Sequence, residues 1–272
     1  MFSTSDPAAV RVGRFVERTV AEGPGERTAI WVQGCSIRCE GCFNPHLWAF
    51  RGGTVVPTAA VIARVLAAGT EGLTLLGGEP FDHAAPLAAV ARAAGGAGMS
   101  VMTFSGYTTA QLNRAVHAGR ADVAALLDAT DLLVAGPFVA ALVDRDRPWV
   151  GSTNQELVQR GGRFPGLLAA AARTPDRLEV TVAADGVLSV NGWADDETLD
   201  ALLHDLGRLP NQQYHERARA MDALDAVQLD VAGRRGAADQ RERAGRLEPG
   251  QQFGDPRHDL VGADHAVVPV GH

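Results

Sequence analysis

Three cysteines, Cys35, Cys39 and Cys42, are the only thiols in this chain, and they lie within eight consecutive residues. Their C-x3-C-x2-C spacing lacks the fourth cysteine that a closed electron-transfer cluster needs. Three thiolates can bind three irons of a cubane cluster and leave the fourth iron open, and an open metal position is where a substrate coordinates. The triplet therefore favours an iron–sulfur site that takes part in chemistry.

Two simpler interpretations of the triplet stay open at this point. The three cysteines and His46 together would make a structural zinc site, although such sites usually use two close pairs separated by a longer loop. The thiols would otherwise be inert. An odd number of closely spaced cysteines disfavours disulfides.

The composition excludes several classes of protein. The chain has 272 residues, of which 46% are hydrophobic, so it can bury one sizeable core. A formal net charge of -7 argues against a nucleic-acid partner. No apolar run approaches the ~20 residues that span a bilayer, so no membrane association is expected. Residues 1–10 carry no secretory signal, and the unpaired thiols predict a cytoplasmic location.

Strand and helix patterns alternate along the first half of the chain, as in βαβ units. Parallel strands with helices outside them are therefore expected, which makes the fold class α/β. The predicted strands are Val10–Thr19, Thr28–Gln33, Leu73–Leu76, Ser100–Phe104 and Asp131–Val134; the predicted helices are Ala59–Ala68 with Thr58 as N-cap, Ala84–Ala94 and Thr109–Ala118.

Four distinctive loops each follow one of these strands. They are the cysteine loop, Gly77–Pro80, Ser105–Tyr107 and Gly136–Phe138. Because sites in parallel α/β folds are built from loops at the carboxyl ends of strands, we expect these four to converge.

The pattern of predicted elements changes in the last part of the chain. Strands Leu178–Val182 and Val187–Val190 flank an Asp-Gly turn signal, and a helix is expected over Glu197–Leu206. Beyond that the apolar periodicity is lost. We predict a single domain over residues 1–207 and a low-complexity, largely disordered tail over 208–272.

Several motifs together resemble the radical S-adenosylmethionine superfamily, and within it the activating enzymes of glycyl radical enzymes, in particular those of anaerobic ribonucleotide reductase. They occur in the family's order over roughly residues 10–160. They are Gly23-Pro24-Gly25, Gly34 to Asn44 with Trp48, Gly77-Gly78-Glu79-Pro80, Phe104 to Tyr107, Leu133 to Phe138, and Trp149 to Gln155. Ala135 and Val150 depart from the family, which commonly has Asp and Arg there.

The resemblance implies a partial (β/α) barrel of the radical S-adenosylmethionine type, followed by the C-terminal hairpin, the helix and the tail. It implies that Cys35, Cys39 and Cys42 bind a 4Fe-4S cluster whose open iron is chelated by S-adenosylmethionine. One electron would cleave this cofactor, and the resulting 5′-deoxyadenosyl radical would abstract hydrogen from a glycine of a partner glycyl radical enzyme. A flavodoxin or ferredoxin would supply the electron.

The resemblance also assigns the cofactor's methionine end to Gly77, Gly78, Glu79 and Pro80. The glycines permit close approach, and a carboxylate can accept a charge-assisted hydrogen bond from an ammonium.

Phe43 and Asn44 complete the predicted cofactor-binding set. Phe43 would contact adenine or the cluster, with simple packing as the alternative. Asn44 would donate to a sulfide or substrate, with loop capping as the alternative. Tyr107, Ser152 and Asn154 are weaker candidates.

Two other functions are consistent with the sequence. One is a radical enzyme that acts on a small molecule or peptide. The other is a non-catalytic iron–sulfur or zinc binding module, which would have no need of the Glu79 loop.

Overall fold

The fold is built around a seven-stranded mixed sheet, with a three-stranded sheet beside it. The computed structural model describes residues 7–161, 177–182, 188–192 and 264–269, together with residues 166, 169 and 204. The strands of the larger sheet are β1 (Ala9–Thr19), β2 (Arg27–Val32), β3 (Thr54–Pro57), β4 (Gly72–Gly77), β5 (Ser100–Ser105), β6 (Leu132–Ala135) and β7 (Glu156–Gln159). Among these residues, no helix is both long and apolar enough to cross a membrane.

The centre of the larger sheet is parallel, as the alternating pattern predicts. Its strand order is β3-β1-β2-β4-β5-β6-β7, and β2, β4, β5 and β6 pair in parallel. Strands β1, β3 and β7 pair antiparallel at the two edges. The helices that connect the strands are α1 (Thr58–Ala68), α2 (Ala84–Gly96), α3 (Thr109–His117) and α4 (Ala121–Asp128). The α/β class is therefore confirmed, with a mixed rather than a purely parallel sheet.

Alternation along the central strands gives the sheet two different faces. One set of strand residues, including Ile30, Leu75 and Val101, packs with the helices in the main core. The other set, including Trp31 and Leu76, forms separate clusters on the opposite face. Both faces are apolar, which explains why β2 is buried at every position.

Two strands and one α-helix within residues 7–161 were not expected from the sequence. The short edge strands β3 and β7 have four residues each, too few for a clear period-2 pattern. Helix α4 is rich in alanine and shows little contrast between its faces. The prediction of Thr58 as an N-cap is wrong, because Pro57 precedes the helix and the Thr58 hydroxyl donates to the Pro7 carbonyl at 3.0 Å.

The smaller sheet has the order β10-β8-β9, all antiparallel. Its strands are β8 (Arg177–Val182), β9 (Leu188–Gly192) and β10 (Asp264–Pro269). The predicted hairpin strands are present, but the turn between them lies outside the described residues, as does the predicted helix Glu197–Leu206 apart from His204.

Strand β10 falls inside the segment that we expected to be largely disordered. For these six residues the expectation is not met, since the run Ala266-Val267-Val268 favours a strand and pairs with β8. The rest of residues 208–272 is outside the described residues, and the domain boundary near residue 207 stays a prediction.

Arg27 is a buried cation at the start of β2, with 1% of its surface exposed. Its guanidinium donates to Thr74 Oγ1, to Ser100 Oγ and to the carbonyls of Pro24, Leu73 and Ser100, at distances of 2.7 to 2.9 Å. Burial lowers the pKa of Arg27 to about 10, so it stays charged at neutral pH. The side chain thus ties β2 to β4 and β5 at their amino-terminal ends.

Arg27→Met should destabilise the fold by on the order of 3 kcal/mol, because several buried acceptors lose their donor at once. Urea unfolding of the metal-free protein measures the change. The matched control is Arg114→Met at an exposed position of α3, which should change the free energy of unfolding by less than about 0.5 kcal/mol. Equal stability of the two variants would contradict the role given to Arg27.

Candidate metal centre and cofactor pocket

The cysteine loop begins directly after β2, at the carboxyl end of the parallel strands. Cys35 is buried, with 7% of its surface exposed, while Cys39 and Cys42 are half-buried. The amide of Cys42 donates to the Cys39 carbonyl at 3.2 Å, which closes a tight turn between them. All three thiols therefore belong to one short loop on one end of the sheet.

Main-chain amides point at two of the sulfur atoms. The amide of Arg38 lies 3.5 Å from Cys35 Sγ, and that of Asn44 lies 3.4 Å from Cys42 Sγ. Arg38 and Gly41 have positive φ angles of 55° and 73°, which turn the chain back on itself within the loop. Such amide donors stabilise negative charge on sulfur and adjust the reduction potential of a bound cluster.

Two of the thiols, those of Cys35 and Cys39, are disfavoured from ionising. Burial raises the pKa of the Cys35 thiol to about 11, and burial also raises the pKa of Cys39. A metal bound at these sulfurs would supply positive charge and so stabilise the thiolate form. Three soft sulfur donors with amide hydrogen bonds fit an iron–sulfur cluster.

A single zinc ion would need the three thiolates and His46 to converge on one point. Among the described residues, no group of three or more His, Cys, Asp or Glu side chains converges on a point that could hold one metal ion. His46 lies on the exposed part of the loop. The thiolates of a cubane cluster bind separate irons, so they need not converge on one point.

A buried hydrogen-bond network holds the start of the cysteine loop. Asp82, 1% exposed, accepts from the amide of Ser36 at 2.7 Å and from the Ser36 hydroxyl at 3.0 Å. The Tyr107 hydroxyl donates to the same carboxylate at 3.0 Å and lies 2.7 Å from the Ser36 hydroxyl. Tyr107 is 7% exposed, so the structure gives it a role in holding the loop rather than an open contact surface.

The two glycines at the end of β4 are required by close contacts between main chains. A Cβ atom on Gly78 would lie 2.2 Å from the Gly34 carbonyl oxygen, and one on Gly77 would lie 2.5 Å from the Val32 amide. Gly77 also has a φ of 111°. The Gly34 carbonyl accepts from the Glu79 amide at 2.9 Å, which locks this loop against the residue before Cys35.

Glu79 is almost fully buried and joins two loops. Its Oε1 atom accepts from the Phe81 amide and the Ser105 hydroxyl, both at 2.9 Å, and its Oε2 atom accepts from the Gly106 amide at 2.8 Å. Burial raises the pKa of Glu79 to about 8. In the ionised form, three of the four acceptor positions of the carboxylate are thus used within the protein, which leaves one on Oε2.

An aromatic pocket of about 230 Å³ lies beside the cysteine loop, on the sheet face that the helices do not cover. Phe43 and Phe138 contact each other across it, with ring centroids 4.5 Å apart. Cys42, Asn44 and Gly77 also line this pocket. Further walls come from Trp31, Leu76, Phe104, Trp149 and Val150.

The Asn-Gln element forms part of the pocket wall through main-chain contacts. Gln155 accepts from the amides of Gly151 and Ser152 at 2.9 and 3.1 Å and donates to the Gly136 carbonyl at 2.8 Å. Asn154 donates to the Pro137 carbonyl at 2.8 Å, and the Ser152 hydroxyl accepts from the Val139 amide at 3.2 Å. These side chains join two loops to each other.

The two departures from the family pattern are both buried. Ala135 ends β6 with 1% of its surface exposed, and Val150 lines the pocket with 4% exposed. Arg147, three residues before Val150, donates to the carbonyls of Thr153 and Gln155 at 3.1 and 3.0 Å. Arg147 therefore anchors this loop through main-chain acceptors.

The smaller sheet contributes a wall at the far end of the pocket. Asn191 on β9 is 5% exposed and donates to the Thr19 hydroxyl at 2.7 Å. Its side-chain oxygen accepts from Arg14 at 3.3 Å, and the Arg14 guanidinium lies 4.9 Å from the centre of the Trp31 ring. Sequence reasoning missed Asn191 and Arg14, because their contact joins residues 177 positions apart.

Asp82 and Ser36 were also missed. Asp82 follows the Gly-Gly-Glu-Pro motif by two residues and Ser36 follows the first cysteine, and this adjacency was the available signal. By contrast, the four distinctive loops do come together, through the contacts of Glu79, Asp82, Phe43 and Gln155 described above.

Comparisons with known proteins agree with this site. Residues 21–158 match the family described as a 4Fe-4S single cluster domain. The anaerobic ribonucleoside-triphosphate reductase-activating protein of Vibrio cholerae is 32% identical over 146 residues, which cover 50% of this chain and 89% of that protein. The protein of the same name from Escherichia coli is 30% identical over 146 residues, covering 50% of this chain and 90% of the relative.

A pyruvate formate-lyase-activating enzyme from Clostridium pasteurianum is 33% identical over a shorter stretch of 56 residues, covering 21% of this chain and 24% of that enzyme. The chain belongs to the 4Fe-4S single cluster domain family, and within it to the radical S-adenosylmethionine activating proteins that these relatives represent.

Gly78→Ala should impair cluster binding, because the added methyl group collides with the main chain beside Cys35 and cannot be accommodated by a side-chain movement. We expect iron per chain after anaerobic reconstitution to fall by at least about half. The control is Gly96→Ala in α2, where an added Cβ has nothing within 4 Å. Iron content equal to that of the control would show that the close approach is not needed.

Glu79→Gln should lower the free energy of unfolding by about 1–3 kcal/mol, because the amide group would place N–H atoms against a main-chain N–H donor. Chemical denaturation of the metal-free protein measures this. Glu156→Gln is the control, since Glu156 is exposed and accepts a hydrogen bond from the Thr109 hydroxyl at 2.6 Å. Unchanged stability of Glu79→Gln would contradict its role in joining the two loops.

Proposed function

We propose that this chain is a glycyl-radical-enzyme activase that cleaves S-adenosylmethionine reductively and abstracts a hydrogen atom from a glycine of an anaerobic ribonucleotide reductase. The observation that carries this is the position of the cysteine loop. It is locked by main-chain contacts to the Gly-Gly-Glu-Pro loop, and both border one aromatic pocket. Membership of the activating-protein family supports the same conclusion.

The proposed fold type is a partial (β/α) barrel. The four parallel strands β2, β4, β5 and β6 carry helices on one face, and their carboxyl ends carry the loops of the site. Because the far face is apolar and partly open, it can serve as the inner wall of an incomplete barrel.

The metal ligands in this proposal are Cys35, Cys39 and Cys42. When bound, the 4Fe-4S cluster supplies the electron that cleaves S-adenosylmethionine and so provides the hydrogen-abstracting radical. The amides of Arg38 and Asn44 stabilise charge on two of the sulfurs. Asp82 and Ser36 fix the loop in position.

The cofactor-binding residues in this proposal are Gly77 to Pro80, with Phe43 and Asn44. The free acceptor position on Glu79 Oε2 suits an ammonium group, although three internal hydrogen bonds make positioning of the loops its larger task. Phe43 offers an apolar surface next to Cys42, and its contact with Phe138 keeps it in place. Asn44 lines the pocket and can donate to a bound polar group.

The pocket walls suit radical chemistry on a protein substrate. Aromatic and aliphatic side chains form much of the wall beside Cys42. Exclusion of water from this space would protect a reactive intermediate from side reactions. A pocket of this small volume leaves little room for a large substrate in addition to the cofactor. A peptide loop that carries the target glycine, supplied by the partner, would close the opening.

Anaerobic reconstitution with iron and sulfide tests the function directly. The protein should hold about four irons and four sulfides per chain and should form 5′-deoxyadenosine from S-adenosylmethionine once reduced. Replacing any one of Cys35, Cys39 or Cys42 by Ala should abolish this cleavage, because a ligand of the cluster is lost.

Two outcomes would overturn the proposal. One is stoichiometric zinc without iron-dependent visible absorption. The other is a fully loaded cluster that cleaves no cofactor under strong chemical reduction. A glycyl radical signal on the reductase, detected by electron paramagnetic resonance, would identify the partner.

A further inference from the structure

A shallow groove of about 760 Å³ lies on the outer side of the cysteine loop. It is lined by Arg38, Pro45, Trp48, Ala49, Phe50 and Arg51. Phe50 is one of the few large apolar side chains left exposed among the described residues, at 39%. The groove therefore combines an exposed aromatic ring with two cations.

The charge of this groove opposes that of the whole chain. Arg38 and Arg51 are both exposed, and no acidic residue lines the groove. Arg11 adds a third guanidinium close by, since it donates to the Gly52 carbonyl at 3.0 Å. A chain with a formal net charge of -7 repels acidic proteins at long range, so a local cationic surface selects where such a partner binds.

The groove is connected to the metal site by hydrogen bonds. The Trp48 carbonyl accepts from the Cys35 amide at 3.1 Å, and the adjacent Leu47 carbonyl accepts from the Gly34 amide at 2.8 Å. Trp48 thus contributes both a groove wall and a direct contact to the first cysteine. Its indole Nε1 is buried with no hydrogen-bond partner among the described residues.

The groove and the aromatic pocket share no lining residue. The part of the cysteine loop that lines the pocket is Cys42, Phe43 and Asn44, whereas the groove is lined by Arg38, Pro45 and residues 48–51. The cysteine loop therefore has two separately lined surfaces. A partner in the groove would leave the pocket accessible to cofactor and substrate.

An outside source of electrons is needed by the proposed function. The sequence contains only the three cysteines of the loop, so it provides no thiolates for a second, relaying cluster. Each cleavage consumes one electron, which a carrier must deliver close to Cys35, Cys39 and Cys42.

We propose that the groove formed by Arg38, Trp48, Phe50 and Arg51 is the docking surface for an acidic one-electron carrier protein. This inference rests on the proposed function. The carrier binds through its acidic surface and is oxidised by one electron, while the bound cluster is reduced by one; no covalent bond forms or breaks in this transfer. Arg38 and Arg51 steer and orient the carrier, and Phe50 packs against its apolar rim around the redox centre.

Binding of oxidised flavodoxin and, separately, oxidised ferredoxin to the reconstituted protein tests the docking surface without relying on catalysis. The dissociation constant is measured at 50 and 300 mM NaCl for the wild type, Arg51→Glu and Arg38→Glu with Arg51→Glu. For whichever carrier binds the wild type, we expect the double variant to raise the dissociation constant about tenfold at 50 mM NaCl. We also expect its dissociation constant to change less between 50 and 300 mM NaCl than that of the wild type. The matched control is Arg92→Glu, at an exposed position of α2 near Thr130 and Asp131, at the amino-terminal end of β6.

The second measurement compares electron sources. Cofactor cleavage by Arg51→Glu should slow several-fold with reduced flavodoxin or ferredoxin and stay at the wild-type rate with dithionite, which needs no docking surface. The conservative Arg51→Lys should restore much of the carrier-supported rate. Iron and sulfide contents confirm that each variant carries its cluster.

Three results would overturn the docking surface. The first is that neither carrier binds the wild type, and the second is that the double variant binds the carrier as well as Arg92→Glu does. The third is that the double variant keeps its affinity for the carrier but loses affinity for the reductase, measured in the same way. Failure of the wild type to cleave cofactor with dithionite would instead overturn the proposed function. The binding measurement decides on the groove in either case.

Discussion

The close approach of two main chains, at Gly34 and Gly78, is the constraint on which the site depends. The ends of β2 and β4 lie side by side, and the Gly34 carbonyl accepts from the Glu79 amide at 2.9 Å. Any side chain on Gly78 would fill the space that this hydrogen bond occupies. Because Cys35 follows Gly34 directly, the contact fixes the first cysteine relative to the loop that is proposed to bind the cofactor.

Two buried carboxylates extend this contact to the other loops. Glu79 reaches the Ser105–Gly106 turn, and Asp82 reaches Ser36 and Tyr107. Buried carboxylates are costly unless several donors satisfy them, and each of these accepts three or more hydrogen bonds in the structure. These hydrogen bonds make the loops rigid, since neither loop can move without leaving a buried carboxylate unsatisfied. A rigid surround is what a metal centre needs to keep its geometry when its charge changes.

The central fold could be predicted because its signals are local. Strand β2 is a run of β-forming residues that ends at the cysteines, and β4 ends at two glycines, so the elements and their order followed from the sequence alone. The edge strands β3 and β7 could not be predicted, because four residues flanked by glycine, proline or polar side chains carry little periodicity. Their pairing depends on neighbouring strands that no local pattern describes.

Long-range contacts limited the prediction of the site in the same way. The motif residues were visible because each sits at a recognisable spacing, whereas Asp82 contacts Ser36 across 46 positions and Asn191 contacts Arg14 across 177. Glu79 shows a subtler limit. Its presence was expected, but only the structure shows that three of its four acceptor positions are occupied internally. A motif indicates which atoms are present at a site, and the packing around them determines how many remain for a ligand.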